Sequence, residues 1–187
     1  MDILVEISNR HVHLTKEHIK TLFGDEEFQK VKHLSQPGQF ATQHRVNIIH
    51  NDKRIENIRV LGPERAQTQV EISKTDSRHL KINTPIRESG DLDNTPGIII
   101  EGPKGQIQLN SGLIIARRHL HASEEQAKIL NIKDKQIINL RVDGERGMTF
   151  HDVLVRVNNN YNLAFHIDTD EGNAAHIIAE TYARLTE

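Results

Sequence analysis

The pattern Arg-His-x-His occurs twice in the chain, at Arg10-His11-Val12-His13 and at Arg118-His119-Leu120-His121. Successive side chains of an extended chain alternate between its two faces, so residues i and i+2 lie on the same side. Two imidazoles at this spacing can therefore close on one metal ion. A second copy in matched surroundings predicts a second, matched site, and it constrains the chain to fold around an internal repeat.

The match between the two copies extends beyond the histidines. Residues 7–17 align without gaps with residues 115–125, and each copy is typical of a strand followed by the start of a helix. Thr15 and Ser123 are residue types that favour helix N-caps, and the segment from Ser123 to Gln126 fits a capping box. The duplication therefore predicts the same arrangement of strand, histidine pair and helix in both copies.

A second repeat supplies a third ligand to each histidine pair. Residues 55–60 resemble residues 150–155, and keeping that register places Glu71 on His166. Carboxylate oxygen and imidazole nitrogen are both ordinary zinc ligands, and three protein ligands with one open position are typical of catalytic zinc. The predicted ligands are His11, His13 and Glu71 in one half, and His119, His121 and His166 in the other.

Structural roles remain open for several of these residues. Twelve histidines are many for 187 residues, and those without support from the repeat are expected at the surface or in the core. The duplicated pairs could themselves be structural, or only one half could be functional. The histidines without repeat support are His18, His33, His44, His50, His79, His151 and His176.

Composition excludes several classes of protein. The formal net charge of −2 gives no electrostatic case for binding nucleic acid, and the absence of cysteine excludes disulfides, thiolate metal sites and a cysteine nucleophile. No apolar run approaches the ~20 residues of a membrane-spanning helix. A strand is expected directly after Met1, which leaves no room for a signal peptide, so we expect a cytoplasmic protein.

The hydrophobic periodicity predicts a mainly β fold with short capping helices. Closely spaced strands with turn signals favour barrels or sandwiches over a parallel sheet, and the repeats favour two similar β-barrel units. Strands are predicted at 3–8, 45–50, 54–61, 67–73, 97–101, 105–109, 112–117, 136–142, 150–157 and 162–167. Helices are predicted at 15–23, 76–80, 123–130 and 171–184. We interpret the acidic run at 168–171 as the cap of the last helix rather than a cation loop.

Four motifs in this order resemble the PduL-type phosphate acyltransferases, which exchange an acyl group between coenzyme A and inorganic phosphate. They are residues 8–13, 62–71, 117–121 and 168–174. The resemblance implies two β-barrels with helical caps and an active site between them. It also implies that the barrels are interleaved, with residues 1–9 and 117–187 forming one discontinuous domain and residues 10–116 forming the other.

The resemblance implies roles for individual residues. His11, His13 and Glu71 match the ligands of a zinc whose open position takes the coenzyme A sulfur. His119, His121 and His166 match the ligands of a second zinc, completed by water. Arg65 resembles an arginine that contacts phosphate. The positions that match the lining of the coenzyme A site are Ser8, Lys32, Arg59, Leu61 and Asn173.

The implied function is a zinc-dependent exchange of a short acyl group, acetyl or propanoyl, between coenzyme A and phosphate. A dinuclear zinc hydrolase of acyl phosphates or thioesters is the alternative, and a metal-stabilised interaction or shell protein also remains open. Some members of the family carry an N-terminal extension that directs them into bacterial microcompartments, and we expect none here. The expected partners are small molecules, with no nucleic acid and no membrane, and a homodimer is the default expectation for the oligomeric state.

Overall fold

The computed structural model describes residues 1–25 and 28–186. It divides into two compact units by its internal contacts. The first, here called unit 1, consists of Met1–Asn9 and Arg117–Glu187, and the second, unit 2, consists of Arg10–Ala116.

Unit 1 is built around a closed barrel of six strands in the order β1-β14-β11-β13-β12-β15. Apolar side chains of these strands, among them Ile3, Leu120 and Phe165, are fully buried in its core. Its elements are β1 (Ile3–Ser8), β11 (His119–Ala122), α3 (Glu124–Leu130), β12 (Ile137–Val142), β13 (Met148–Val157), β14 (Ala164–Asp168), α4 (Thr169–Ala174) and β15 (Tyr182–Thr186).

Unit 2 contains a nine-stranded sheet with a separate core that includes Val12, Ile48 and Val60. The strands run in the order β7-β10-β6-β2-β5-β4-β8-β9, and β3 pairs with β4 beside this path. The elements are β2 (His11–His13), α1 (Lys16–Phe23), β3 (Lys30–His33), β4 (Phe40–His50), β5 (Lys53–Gly62), β6 (Gln69–Glu71), α2 (Lys74–His79), β7 (Ile86–Arg87), β8 (Ile99–Glu101), β9 (Gln106–Gln108) and β10 (Leu113–Ala116).

The two units share one strand order, as the sequence repeat predicts. The order β6-β2-β5-β4 in unit 2 corresponds to β14-β11-β13-β12 in unit 1. Each histidine strand pairs antiparallel with one neighbour and parallel with the other. One closed barrel and one barrel-like sheet, with four short helices in the described residues, confirm the predicted mainly β fold class.

The strand before each Arg-His-x-His belongs to the other unit. β1 precedes the first copy of the motif but pairs parallel with β14 of unit 1, through Val5 and Phe165. β10 precedes the second copy but pairs parallel with β6 of unit 2, through Leu113 and Val70. Each of these strands therefore pairs within the unit that does not contain the motif it precedes. This pairing explains why unit 1 is discontinuous in sequence.

The helix starts follow the predicted capping chemistry. Thr15 caps α1 by accepting a hydrogen bond from the His18 amide, and Ser123 and Gln126 complete a capping box at α3. Asp168 and Glu171 form a capping box at α4, which confirms the interpretation of the acidic run as a helix cap. Such caps satisfy amide groups that a short helix otherwise leaves without partners.

The prediction of one helix over residues 171–184 is wrong. The helix α4 ends at Ala174, and His176 has a φ of 56°, outside the range of right-handed helix. The chain then forms β15, which pairs with both β1 and β12 and closes the barrel. Tertiary pairing therefore overrides the local helical pattern, because this strand satisfies two barrel edges that an exposed helix would leave open. None of the helices within residues 1–25 and 28–186 is long and apolar enough to cross a membrane.

Candidate metal centres

Three predicted ligands come together in unit 2. His11 and His13 project from β2, and Glu71 lies directly opposite His11 on the antiparallel strand β6. One nitrogen or oxygen of each side chain lies within 4.8 Å of the others, and His11 Nε2 is 3.5 Å from Glu71 Oε2. The group is buried at the end of the two strands, and its donor set suits a divalent metal ion.

The three predicted ligands of unit 1 form an equivalent group. His119 and His121 project from β11, and His166 lies directly opposite His119 on the antiparallel strand β14. Their ring nitrogens also approach within 4.8 Å of one another. The register that places Glu71 opposite His11 thus recurs with His166 opposite His119, as the second sequence repeat predicts.

The hydrogen bonding of these histidines fits metal ligands. Within the described part of the chain, Nδ1 of His13 and both ring nitrogens of His121 are buried without a hydrogen-bond partner. Unsatisfied buried nitrogens are costly, and a metal ion would satisfy one nitrogen of each ring. His119 Nδ1 donates to the carbonyl oxygen of Arg117 at 2.8 Å, which makes Nε2 the ring nitrogen that carries the lone pair.

The electrostatics of three candidate ligands, His13, His121 and Glu71, favour the protonation states that bind metal. Burial, reinforced by neighbouring positive charge, holds the pKa of His13 well below its ordinary value and lowers the pKa of His121 to about 2. Burial alone would raise the pKa of Glu71, but His11, His13 and Arg65 outweigh it and hold that pKa low. Neutral imidazoles and an ionised carboxylate are the forms that bind metal.

A buried network fixes the carboxylate of Glu71. Gln69, two residues earlier on β6, donates from Nε2 to Glu71 Oε1 at 2.5 Å and to Ser89 Oγ at 2.8 Å. The amide oxygen of Gln69 accepts the backbone N–H of Gly90 at 2.8 Å. Because these contacts occupy Oε1, the other oxygen remains directed toward His11.

Arg65 lies in the same network. Its Nη1 donates to Ser89 Oγ at 3.3 Å, and its backbone N–H donates to the Leu14 carbonyl at 2.9 Å. The guanidinium is half-buried and close enough to lower the pKa values of His13 and Glu71. The structure therefore places Arg65 beside the metal group of unit 2, the name used here for the candidate ligands His11, His13 and Glu71. Its planar cation suits phosphate oxygens.

The five positions predicted for coenzyme A are divided between the units. In unit 2, Leu61 lies opposite His13, and the same cross-strand row continues through Ala41 to Lys32. Arg59 lies opposite His11 and donates to the Thr42 carbonyl at 2.8 Å. These residues therefore share the sheet that carries the metal group of unit 2.

The other two positions, Ser8 and Asn173, belong to unit 1. Ser8 is the last residue of β1 and lies opposite Asp168, the N-cap of α4, while Asn173 lies in that helix. A Cβ on Gly172 would meet the Ile7 side chain at 2.5 Å, so this glycine allows α4 to approach β1 closely. Close packing thus brings Ser8 and Asn173 to the same end of unit 1.

Several residues around the groups were not predicted. The Tyr161 ring stacks on His121 with ring centroids 4.0 Å apart, and Glu6 Oε2 is 3.5 Å from His166 Nδ1. Gln69 could have been found from its place two residues before Glu71, which puts it on the same strand face. Ser89 and Tyr161 lie on loops, and the sequence carries no signal for their contacts.

The histidines without repeat support lie outside both groups. Several have other partners: His18 Nδ1 contacts Thr68 Oγ1 at 2.7 Å, and His50 Nδ1 donates to the Leu80 carbonyl at 2.9 Å. His44 is buried against the rings of Phe23 and Phe28. These contacts agree with the structural roles expected for them.

Comparison with known proteins identifies the family. A model described as phosphate propanoyltransferase matches residues 4–178. The chain is 50% identical over 175 residues to a phosphate propanoyltransferase of Thermotoga maritima, covering 92% of this chain and 83% of the relative. Relatives of the same name from Alkaliphilus metalliredigens and Clostridioides difficile are 49% and 44% identical, covering 94% and 98% of this chain and 83% and 88% of their own lengths.

These matches span most of the chain, and the range matched by the family model, residues 4–178, contains the positions of all six predicted ligands. The resemblance drawn from four short motifs is therefore confirmed over almost the whole sequence. The chain belongs to the phosphate propanoyltransferase family of acyltransferases.

Proposed function

We propose that the chain is a zinc-dependent phosphate acyltransferase that exchanges a short acyl group between coenzyme A and inorganic phosphate. Membership of the family supports acyl transfer between these two substrates. The observation that carries the metal dependence is the equivalent register of two ligand groups, with Glu71 opposite His11 and His166 opposite His119.

Each group would hold one zinc ion through three protein ligands. The holders would be His11, His13 and Glu71 in unit 2, and His119, His121 and His166 in unit 1. Zinc in such sites lowers the pKa of a thiol that binds it and polarises a carbonyl or phosphoryl oxygen. Three ligands leave a position open for these substrate atoms.

The two groups differ in charge, and this difference supports different tasks. Glu71 contributes a carboxylate, so the unit 2 group gives a bound ion a lower net charge than the all-histidine group does. We assign the unit 2 group to the coenzyme A sulfur and the unit 1 group to the phosphate end of the acyl phosphate. This assignment follows the family resemblance.

Arg65 would bind the phosphate oxygens. In the direction of thioester synthesis, the sulfur forms a bond to the acyl carbonyl carbon while the bond from that carbon to the phosphate oxygen breaks. The leaving phosphate gains negative charge, and a guanidinium held by Ser89 can stabilise it through paired N–H donors. In the reverse direction the same contacts would orient phosphate for attack on the thioester.

The positions Ser8, Lys32, Arg59, Leu61 and Asn173 would line the coenzyme A site. Lys32 and Arg59 are cations, which suits the phosphates of coenzyme A. Leu61 gives an apolar contact beside His13, which suits the uncharged arm that carries the thiol. These roles follow the family resemblance, and the shared row of Lys32, Leu61 and His13 supports them.

An acyl-transfer assay with controlled metal content tests this proposal. Acetyl phosphate and propanoyl phosphate serve as donors and coenzyme A as acceptor, and thioester formation is followed in untreated, chelated and zinc-restored protein. We expect chelation to abolish transfer and added zinc to restore it. The His33→Ala variant removes an exposed histidine outside both groups and should behave like the unaltered protein.

Two results would contradict the proposal. Full transfer by protein that metal analysis shows to be free of zinc would exclude zinc dependence. Release of phosphate from the acyl phosphate at the same rate with and without coenzyme A, with no thioester formed, would favour the hydrolase instead.

A further inference from the structure

The arginine of each Arg-His-x-His motif is not used by the proposed chemistry. In unit 2, Arg10 directly precedes the ligand His11 and forms a two-pronged ion pair with Asp76. Its Nη2 is 2.9 Å from Asp76 Oδ1, and its Nε donates to Oδ2 at 2.9 Å. Asp76 is almost completely buried in α2, and a buried carboxylate without an ion-pair partner is costly.

Unit 1 contains the same contact. Arg118 directly precedes the ligand His119, and its Nη1 is 2.8 Å from Glu171 Oε1 in α4. Its Nε donates to the carbonyl oxygen of His151 at 2.7 Å, which ties the arginine to β13 as well. The contact is therefore repeated although the acidic residue differs in type.

Each carboxylate makes a second contact, with the backbone just after the third ligand. Asp76 Oδ2 accepts the backbone N–H of Ser73 at 3.2 Å, and Ser73 lies two residues after Glu71. Glu171 Oε2 accepts the backbone N–H of Asp168 at 3.1 Å, and Asp168 lies two residues after His166. In both units one carboxylate thus joins the start of the histidine strand to the end of the strand that carries the third ligand.

We propose that Arg10 and Arg118 are positioning residues that set the distance between the third metal ligand and the histidine pair. His11 and Glu71 form the last register pair of β2 and β6, and the contact through Asp76 lies immediately beyond them. Without it, the two strand ends are free to separate at the position where the ligands must meet. This inference rests on the proposed metal sites.

Helix capping alone does not account for the arginines. The helix α3 of unit 1 has a complete capping box in which the uncharged Gln126 takes the place of the acidic residue. An ion pair is therefore not needed to cap a helix in this fold. Each arginine-bound capping box instead follows a strand that carries the third ligand, β6 or β14.

Zinc binding measured without any substrate tests the inference. The affinity of the unit 1 group is measured by competition with a chromophoric chelator in a His11→Ala, His13→Ala background, which removes the unit 2 group. We expect Arg118→Gln and Glu171→Gln each to weaken zinc binding about tenfold, the lower end of the effects typical of outer-shell partners. The double variant should bind zinc no more weakly than Arg118→Gln alone, because Arg118→Gln already breaks the ion pair that Glu171→Gln removes.

The variants are chosen to keep the fold. Glu171→Gln retains an oxygen that can accept the Asp168 N–H, so α4 stays capped in this variant. It therefore tests the ion pair even if Arg118→Gln is poorly folded. Arg141→Gln removes an exposed ion pair with Asp143 in the same unit and should leave zinc affinity unchanged. The same design applies to unit 2 with Arg10→Gln and Asp76→Asn. The control there is Arg54→Gln, which removes the ion pairs of an exposed arginine with Glu56 and Glu101.

The outcomes separate this inference from the proposed function. Unaltered protein that binds no zinc would overturn both. If the unaltered protein binds zinc and folded Glu171→Gln and Asp76→Asn bind it equally well, the positioning role alone is overturned. A lower melting temperature with unchanged zinc affinity would likewise overturn it, because that result describes a contact that only stabilises the fold.

Discussion

Glu71 faces His11 across β2 and β6, with Glu71 Oε2 3.5 Å from His11 Nε2. Side chains directly opposite one another in an antiparallel pair lie on the same face of the sheet, so the pairing register itself delivers the third ligand. His166 holds the corresponding position opposite His119. Each candidate ligand group therefore depends on one pairing register, and we expect a single substitution to disable one group without affecting the other.

The first prediction concerns zinc stoichiometry. Glu71→Ala should remove the zinc of unit 2 and leave that of unit 1, whereas His166→Ala should do the reverse, because the groups share no ligand. Metal analysis after dialysis should find two equivalents in the unaltered protein and one in each variant. Two equivalents in either variant would contradict the ligand assignment, and His33→Ala serves as the control for loss of an exposed histidine.

Arg65 should affect turnover and not metal content. Arg65→Ala removes the guanidinium beside the unit 2 group, and we expect acyl transfer to fall about 100-fold, the scale of losing one donor to a developing anion. Arg65→Lys should recover little, because an ammonium ion cannot form the planar two-pronged contact. Steady-state rates with metal analysis check this, and unchanged turnover in a zinc-loaded Arg65→Ala variant would exclude the role.

Gln69 should influence both stability and metal affinity. Gln69→Leu leaves Glu71 Oε1 with only the longer hydrogen bond from Ser89 Oγ at 3.3 Å, and a poorly satisfied buried group costs about 1–3 kcal/mol in the free energy of unfolding. We also expect zinc binding in unit 2 to weaken about 10- to 100-fold, because the carboxylate loses its support. Denaturant unfolding and chelator competition measure the two effects.

The matched control for Gln69 is Gln108→Leu. Gln108 is exposed, and its side chain donates to the carbonyl of its neighbour Leu109. Its replacement should change neither the free energy of unfolding nor the zinc affinity of unit 2 appreciably. Equal behaviour of the two variants would show that the network around Glu71 does not support the carboxylate.

The repeats explain why much of the candidate site could be predicted from sequence. Strand alternation fixes which face a side chain occupies, so two aligned strands were enough to pair His11 and His13 with Glu71. The C-terminal segment shows the limit of this reasoning. Ala183 lies opposite Ile3 and Val142, and only those distant partners make its segment a strand, β15.

The support around the ligands could not be predicted for a similar reason. Ser89 reaches Glu71 from a loop 18 residues later in the chain, and Tyr161 reaches His121 from a turn 40 residues later. Periodicity describes regular elements and carries no information about where such loops return. The interleaving of the units likewise follows from strand pairing, since β1 pairs with β14 far along the chain.

The last prediction concerns the stability of the metal-free protein in acid. Burial in the folded chain lowers the pKa of His121 from an ordinary value of 6.5 to about 2, and it lowers the pKa of His13 as well. Both histidines therefore stay neutral in the folded chain. The unfolded chain takes up these protons below about pH 6.5, so the free energy of unfolding should fall as the pH drops from there toward 2. Above pH 6.5 these groups should contribute no dependence. The slope can reach about 1.4 kcal/mol per pH unit for each histidine.

Denaturant unfolding of chelated protein at pH 7, 6 and 5 measures the slope, which His121→Leu should reduce and His33→Ala should not. Equal stability at pH 7 and pH 5 would show that the buried imidazoles gain protons as readily in the folded chain as in the unfolded one.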